Sequence, residues 1–452
     1  MYKKVKGRPK RAHFDYPMTS EKAISVFIND TEKVSKHAFF PLLSYEIKAR
    51  RFQKKRDPKT GKVERLVSNK IRPIKVASHR DTYIYTHYNE ILSRAYEQQI
   101  TGTEIDECVV AYRKGKGSNI DIALDAFEKI KNLGECVVIA ADLKSFFETI
   151  DHDHLKEKWA QLLELRSLPS DHYNVFRSLT KYSEISVDAL KKKLRIKSHE
   201  ALPKPIFEDL SKFRKVVKTK GEDGKNMIVR NNHSFGIPQG SPMSALLSNI
   251  IMHDFDVIMA GYTKSKGGFY RRYSDDILVV VSQDHFEEAL ENISLGLNKI
   301  PGPLRENEDK RVVSFFNANG DLITGKQVVN SSEVNSRILQ YLGFLFDGKE
   351  VSIRSQTLAR YWRKATRGIR AAKRRAAKNP LDKRVYKRKL LRRFTHLGRM
   401  NLHTYKLDCI AKFKDGKIRK QFSNNWRQIW REINGPIKRS NKPSRNAQKN
   451  RV

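Results

Sequence analysis

The sequence predicts an α+β fold: an antiparallel sheet with acidic strand ends, followed by a bundle of strongly basic helices. Three stretches carry that prediction. Gly267-Gly268-Phe269-Tyr270-Arg271-Arg272, Tyr273-Ser274-Asp275-Asp276 and Ile277-Leu278-Val279-Val280-Val281 read in turn as a strand, a tight turn and a strand, with carboxylates at the hairpin tip. Val137-Val138-Ile139-Ala140-Ala141-Asp142 reads as another apolar strand ending in an acid. Between Arg354 and Arg399 there are 18 Lys and Arg against a single acid, Asp382, with apolar residues at helical steps.

An isolated Asp-Asp pair is ordinarily a solvated turn. Adjacent carboxylates repel, however, and a second acidic strand end beside them would supply the hard oxygen ligands that Mg²⁺ takes. Such a site, with two ions ~3.5–4 Å apart, serves in-line phosphoryl transfer. The 452 residues give room for roughly two to four subdomains. Lys+Arg 90 against Asp+Glu 50, a net +40, points to a polyanionic partner, either nucleic acid or an acidic membrane surface. No apolar stretch approaches the ~18–20 residues of a membrane span. The start, Met1 to Arg11, lacks the apolar segment of a secretory signal and reads as a basic arm on nucleic acid or a nuclear-type cluster. A cytoplasmic setting is expected. Cys108, Cys136 and Cys409 are scattered without metal spacing and read as buried thiols in a reducing compartment.

Taken in order, residues 14 to 47 show mixed helical spacing at Ile24, Phe27, Ile28, Phe39, Phe40 and Leu43, which predicts one or two entry helices. From Lys48 to Val76, basic arms flank the turn signal Asp57-Pro58-Lys59-Thr60-Gly61 and end in Arg72-Pro73-Ile74-Lys75, a basic hairpin. Asp81 to Tyr96 is helical, its aromatics explained by packing. Gly115, Lys116 and Gly117 precede a helix over Asn119 to Lys131, a placement that favours anions, although the spacing is not that of a P-loop. Asp151-His152-Asp153-His154 caps a helix running to Arg166; acids at a helix start need no ligand role. Residues 167 to 232 are polar and Lys-rich, with a hairpin tip at Lys220 to Lys225, and read as an elaboration between catalytic strands. Ser234 to Pro242 is turn chemistry, followed by a helix from Met243 to about Met259. Gly236 and Gly240 near Gln239 let the backbone approach a ligand. Phe286 to Ile300 is an amphipathic helix, Leu304 to Val313 a returning strand that carries Lys310, and Gln340 to Gly348 a hairpin. Leu358, Trp362, Ala365, Ile369, Ala372 and Ala376 form a narrow apolar stripe on a basic helix that Asn379-Pro380 ends. Leu381, Val385, Leu391 and Phe394 begin another, and Trp426, Ile429, Trp430 and Ile433 supply a further apolar face. So few acids cannot neutralise these cations, whereas phosphates would. Lys438 to Val452 reads as disordered.

These blocks, taken together, resemble a known family. The order of Arg72, Tyr112-Arg113, Asp142 with Phe146-Phe147, Gly236-Ile237-Pro238-Gln239-Gly240-Ser241-Pro242, Tyr273-Ser274-Asp275-Asp276, Lys310 and Leu342-Gly343-Phe344 resembles the bacterial reverse transcriptases over residues 70 to about 350. Arg72-Pro73-Ile74, Ala77-Ser78-His79-Arg80-Asp81 and Ala111-Tyr112-Arg113 look more like the defence-associated, antiphage branch, related to retron enzymes, than like a group II intron enzyme. No HNH nuclease pattern follows the basic bundle and there is no room for an RNase H domain, which disfavours a complete mobile-element enzyme. The 167–232 stretch departs from the compact family core.

The resemblance implies a right-hand polymerase fold. An N-terminal extension and fingers would occupy 1–135, the palm 136–350 with 167–232 inserted, a basic helical thumb 351–435 and a disordered basic tail 436–452. It implies an RNA-directed DNA polymerase, magnesium-dependent, that copies an RNA template into cDNA from dNTPs. The template would be a dedicated structured non-coding RNA, the setting antiphage defence, with no membrane partner and self-association left open. By the same resemblance Asp142 and Asp275 would hold two Mg²⁺ ions, with Mn²⁺ an admissible substitute, and Asp276 would assist. Phe147 would be the steric gate under the sugar, Gln239 would contact nucleotide and template, and Arg72 and Arg113 would bind the dNTP. Lys310 would protonate the leaving pyrophosphate, and Leu342-Gly343-Phe344 would grip the primer. Arg363, Lys364, Arg367 and Arg370 would hold nucleic acid in the thumb. Three rivals stand beside this reading. Untemplated or protein-primed DNA synthesis in abortive infection keeps the enzyme and changes its task. An RNA-dependent RNA polymerase is disfavoured by the bulky Phe147, and a non-enzymatic RNA-binding scaffold by the presence of all three carboxylates.

Overall fold

A five-stranded antiparallel sheet forms the centre of the molecule, its strands in the order Phe269–Tyr273, Asp276–Val281, Cys136–Asp142, Val312–Phe316 and Leu322–Ile323. The structure is a computed structural model and describes residues 11–56, 63–220, 224, 226–329, 332–378, 384–398 and 402–436. Side chains alternate across a strand, and here both faces are covered. Val137, Ile139 and Ala141 join Ile277, Val279 and Val281 in one core, under the helices His79–Ile100, Ser244–Ile251, His253–Ser265 and Phe286–Asn298. Cys136, Val138, Leu278 and Val280 join a second core with the Asn119–Leu133 helix and the strands of residues 339–353. Two-sided burial is why these strands read as unbroken apolar runs and not as alternation.

A second sheet orders Val63–Val76, Leu42–Arg56, Ser183–Ser186 and Ile228–Arg230. The expected basic hairpin pairs antiparallel from Leu43↔Val76 to Arg56↔Val63, while its Asp57–Gly61 turn lies outside the described residues. Residues 14 to 47 give helices at Glu21–Asn29 and Thr31–Ser35 only. Phe39 and Phe40 are not helical and Leu43 is in a strand, because Pro41 pushes the residue before it toward extended backbone. The 167–232 segment is not merely an elaboration between catalytic strands. Its Ser183–Ser186 strand runs parallel to the start of Leu42–Arg56, and Leu190, Leu202, Phe207, Val217 and Met227 share a small core with Phe14 and Leu43. It therefore buttresses the basic hairpin. Most of its Lys220–Lys225 tip lies outside the described residues.

Three further boundaries differ from expectation. The helix capped by Asp151 stops at Leu162, and Glu164 takes a left-handed φ of 57°. The helix after Pro242 is two, Ser244–Ile251 and His253–Ser265, broken at Met252. Lys310 is not on a strand: it ends a short turn, Glu308–Lys310, and the strand is Val312–Phe316. The polar run Glu306-Asn307-Glu308-Asp309 has no alternation to sustain pairing.

Beyond residue 338, Leu339–Tyr341, Phe344–Phe346 and Val351–Ile353 make a three-stranded sheet. Cys409, Ile418 and Phe422, from the following helical region, pack into the same core as Phe344 and Phe346. The basic helices Ser355–Lys378, Lys387–Phe394 and Asn425–Asn434 build a separate core from Ala365, Ile369, Leu390, Leu391, Phe394, Ile429 and Ile433. Trp426 and Trp430, expected on that apolar face, are exposed instead. Asn379-Pro380, Leu381, the tail from residue 437 and the arm of residues 1–10 lie outside the described residues. Cys108, Cys136 and Cys409 are buried and free. No helix among the described residues is long and apolar enough to cross a membrane.

Because the basic helices own their core, Phe394→Ala should cost about 3–5 kcal/mol locally. Native-state hydrogen exchange should show faster exchange across 365–372 and 427–433, with the 136–142 and 276–281 strands unchanged. Equal loss in the central strands would show that the two cores unfold as one.

Candidate active site

Tyr273 and Asp276 pair across a two-residue turn, Ser274-Asp275, in which Ser274 holds φ 61°. A non-glycine residue there needs outside support, and it comes from beneath. Arg272 and Asp256 are both 0% exposed. The Arg272 guanidinium forks onto the Asp256 carboxylate at 2.7 and 2.6 Å and donates to the Ser274 carbonyl at 3.2 Å and the Asn249 side-chain oxygen at 3.1 Å. Tyr270 donates its hydroxyl to the same carboxylate at 2.7 Å. Asn249 donates to the Ala111 carbonyl at 3.0 Å, and Arg272 exchanges backbone hydrogen bonds with Cys108 and Val110. The hairpin, the His253–Ser265 helix and the Cys108–Tyr112 segment are thus bound through one buried ion pair. Burial opposes the Arg272 charge, but Asp256 outweighs it and holds the guanidinium above its ordinary pKa. From above, the Tyr112 hydroxyl donates to Ser274 Oγ at 3.3 Å.

Asp142 ends its strand directly opposite Asp276, so the two side chains share a face. The Asp275 carbonyl accepts from Leu143 N at 3.1 Å, tying the hairpin tip to the residue after Asp142. Backbone pairing alone gathers the three acids. Burial, and then the Asp142 charge, raise the Asp275 carboxyl above its usual range. Burial, then Asp275 and Asp142, push Asp276 up to about 7. Lys310 pairs with the Asp142 carboxylate and eases the charge on both hairpin acids, helped by Arg72 at Asp275 and Arg354 at Asp276. Three crowded carboxylates are what a divalent cation relieves. Among the described residues no three His, Cys, Asp or Glu side chains converge on an ion as they stand, with Asp142 given over to Lys310. The donor set is nonetheless all hard oxygen, which fits Mg²⁺. Asp142, Asp276 and Lys310 line an open cleft of about 570 Å³ together with Leu342, Gly343 and Arg354.

A second cluster, whose residues do not line that cleft, is assembled by backbone contacts. Ser145, at φ 50°, opens the turn Phe146–Glu148, which sends Phe146 into the core at 3% exposure and leaves Phe147 half-buried. The Phe147 carbonyl accepts from Ile237 N at 2.8 Å, and the Gln239 carbonyl from Lys75 N at 2.9 Å. Gly240, at φ 117°, sits so close that a Cβ would lie 2.6 Å from the Lys75 carbonyl oxygen, which excludes other residues. These contacts bring Phe147, Gln239 and the Arg72 end of the basic hairpin into one neighbourhood. Lys75 itself is diverted to Glu184 at 2.7 Å and to the Tyr182 ring.

The Leu342-Gly343 turn has φ of 45° and 95°, the positive pair of a type I′ two-residue hairpin. The Leu342 carbonyl accepts from Asn119 at 3.2 Å and that of Gly343 from Arg354 N at 3.0 Å, while the Phe344 side chain is fully buried. Arg113 does not reach this cleft as a nucleotide ligand. All its N–H donors go to Glu97, Asp106 and the Asp106 and Val109 carbonyls, so it braces its own loop. Arg370 is likewise tied, to Glu432 at 2.8 Å, whereas Arg363, Lys364 and Arg367 stay exposed. His152 bonds the Gly236 carbonyl at 2.9 Å, a structural task. Asp256, Asn249 and Arg354 escaped the sequence reading. The one clue was Arg272, which with Arg271 puts charge into a strand otherwise made of aromatic residues.

Arg272→Met should destabilise the protein by about 3–5 kcal/mol, since it leaves Asp256 buried and unpaired. Asp256→Asn, which leaves a buried guanidinium that cannot shed its charge, should cost as much. Urea denaturation of both variants checks this; a loss below about 1 kcal/mol for Arg272→Met would show that the pair does not hold the hairpin.

Residues 54–346 match the family described as reverse transcriptase (RNA-dependent DNA polymerase). No curated protein sequence matches the chain. Among solved structures, apo telomerase from Candida tropicalis is similar at 12% identity and TM-score 0.42, over 92% of this chain and 64% of that one. Telomerase from Candida albicans, in complex with a TWJ fragment of telomeric RNA, is similar at 10% identity and TM-score 0.40, over 90% of this chain and 59% of that one. This chain therefore spans about six-tenths of the length of those telomerase chains. The family match takes in more than half of the chain, from the basic hairpin through all three acids to the Leu342-Gly343 turn, and the chain belongs to the reverse transcriptase family.

Proposed function

We propose that this chain is an RNA-directed DNA polymerase that extends a primer 3′-hydroxyl with dNTPs on an RNA template. The observation that carries the reading is the placement of Asp142 and Asp276 on paired strand ends that line the same cleft as the Leu342-Gly343 turn, with Asp275 next to them at the hairpin tip. Asp142 and Asp275 would hold two divalent ions, Mg²⁺ or in its place Mn²⁺, with Asp276 assisting. Such ions, when bound, supply activation of the attacking oxygen and stabilisation of the leaving ones. The chain's own residues do the rest. Leu342-Gly343 positions the primer strand, with Phe344 as the buried anchor of that turn. Gln239 and Arg72 meet the nucleotide and its phosphates, and Phe147 lies beneath the sugar. Lys310 leaves Asp142 to give a proton to the pyrophosphate.

In this reading the sheet of residues 42–76 belongs to the fingers, the central sheet to the palm and the basic helices to the thumb. Arg363, Lys364 and Arg367 touch phosphates there, and Arg370 contributes less because Glu432 already claims it. The template is a dedicated structured non-coding RNA and the setting is antiphage defence in the cytoplasm, supported by the likeness of Arg72-Pro73-Ile74 and Ala111-Tyr112-Arg113 to that branch.

Asp275→Asn should abolish dNTP incorporation, by at least a hundredfold, without lowering thermal stability. It removes charge that the transition state needs and relieves repulsion in the metal-free protein. Incorporation within tenfold of the parent in Mg²⁺ would overturn the metal assignment.

Phe147→Ala should raise the ratio of kcat/KM for rNTP over dNTP, because the ring that excludes a 2′-hydroxyl is gone. Phe146, buried in the core, cannot substitute for it. An unchanged ratio would remove the gate and favour the RNA-polymerase alternative.

A further inference from the structure

The Asn425–Asn434 helix buries its aliphatic residues and leaves its large aromatics outside. Ile429 and Ile433 are 1% and 3% exposed in the basic-helix core, whereas Trp426 and Trp430 are 36% and 44% exposed. Tryptophan is highly buried on average, so two exposed on successive turns call for a partner. Their rings are nearly parallel, inclined 13° with centroids 5.9 Å apart. The exposed His396 adds a third ring 5.3 Å from Trp426. The result is a strip of aromatic faces on the outside of the helical bundle. None of these rings lines the catalytic cleft.

Charge decides what the strip receives. Arg427 and Arg431 are exposed on the same helix, and the segment from Arg354 to Arg399, which contains His396, carries 18 cations against one acid. An apolar protein partner would have to bury those cations unpaired. A polyanion with flat apolar groups meets both demands, since bases stack on the rings while phosphates meet the guanidinium groups. A duplex cannot use the strip, because its base faces are already stacked inside the helix.

We propose that Trp426, Trp430 and His396 form a stacking site for the unpaired bases of a single-stranded nucleic acid, outside the catalytic cleft and flanked by Arg427 and Arg431. The proposal rests on the polymerase reading only for its purpose, which is to hold a template or product strand where it is not paired. Stacking is sequence-tolerant and contributes little to the salt dependence, which the phosphates set. The site therefore adds a preference for single strands to a surface whose cations would bind any nucleic acid.

The test uses the full chain with Trp426→Ala and Trp430→Ala combined, and Trp426→Phe with Trp430→Phe as the conservative pair. Fluorescence anisotropy would follow binding of an unstructured RNA of about a dozen nucleotides, within the ~4–16-nucleotide reach of such sites. The same sequence as DNA, and as a blunt duplex, would be followed in parallel over a range of salt. The alanine pair should weaken single-strand binding by about tenfold or more, leave the duplex within twofold, and keep the slope of log K against log[salt]. The phenylalanine pair should restore most of the affinity. Equal losses on RNA and DNA name the bases as the ligand, and a loss confined to one names the strand the site takes. Unchanged single-strand affinity, an equal loss on the duplex or a flattened salt slope would overturn the proposal. So would loss of self-association in sedimentation without loss of single-strand binding, which would make the strip an interface between copies. Incorporation of dNTPs by the parent on a primed RNA is scored separately: its absence beside an intact single-strand preference sinks the polymerase reading and leaves the stacking site standing.

Discussion

Arg272 is buried away from solvent, and everything the Tyr273–Asp276 hairpin presents rests on what it finds there instead. Two charges at 0% exposure are tolerable only when each satisfies the other and the remaining donors are also taken. Asp256 takes the fork, and the Ser274 carbonyl and Asn249 take another donor. The acceptor at Ser274 is the important one, because Ser274 stands in a left-handed conformation at the residue before Asp275. A buried cation thus fixes the carbonyl of a strained turn and, with it, the direction in which the next carboxylate leaves. The polar cost falls largely on the hairpin's first strand, where Arg271, 5% exposed, joins Arg272 as a buried cation.

The same economy explains how the third acid arrives. Asp142 needs no side-chain network to meet the hairpin; its strand pairs with Asp276–Val281 residue for residue, and register does the positioning. Register in turn is set by burial on both faces, since a slip of one residue would exchange Val137, Ile139 and Ala141 for Cys136, Val138 and Ala140 between two differently shaped cores. Hydrophobic packing far from the cleft therefore decides which carboxylates face each other. The electrostatic penalty of that arrangement shows in Asp276, pushed up to about 7 chiefly by burial and next by its neighbours.

Much of this was legible from residue order because it is local. Apolar runs ending in acids, a two-residue turn with Asp275, and Gly240 beside Gln239 are patterns a single stretch can carry. The structure places these residues where such patterns put them, with the acids on paired strand ends. What the sequence hid was non-local. Nothing near Lys310 marks a turn in place of a strand except the polar run before it. Arg113 resembled a nucleotide ligand until Glu97 and Asp106, 16 and 7 residues before it and outside the motif, proved to surround it. The 167–232 segment reads as an elaboration because its many lysines mask the pattern of its apolar residues, yet a short parallel pairing and a few of those residues suffice to lock it against the basic hairpin. Helical periodicity also misplaced Trp426 and Trp430, since spacing tells which residues share a stripe and not which stripe faces inward.

The distribution of acids sorts the cations into two kinds. Where a guanidinium holds structure, a carboxylate sits on it: Glu97 and Asp106 on Arg113, Asp125 on Arg271, Asp256 on Arg272, Glu306 on Arg311 and Glu432 on Arg370. With 50 acids for 90 cations, such pairing leaves a large remainder. Arg72, Arg363, Lys364 and Arg367 belong to that remainder; they are exposed and have no carboxylate partner among the described residues. Unpaired cations clustered on two surfaces repel one another, and a chain that kept its acids for internal bracing has left that repulsion for an external polyanion to relieve. One surface is the Arg72 end of the hairpin, against the loop that carries Gln239; the other is the Ser355–Lys378 helix. The cleft beside the hairpin is balanced instead, Asp142, Asp276 and Asp309 standing against Lys310, Arg337 and Arg354. Of those two surfaces, the Arg72 end of the hairpin lies near enough to the acids for its charge to ease Asp275.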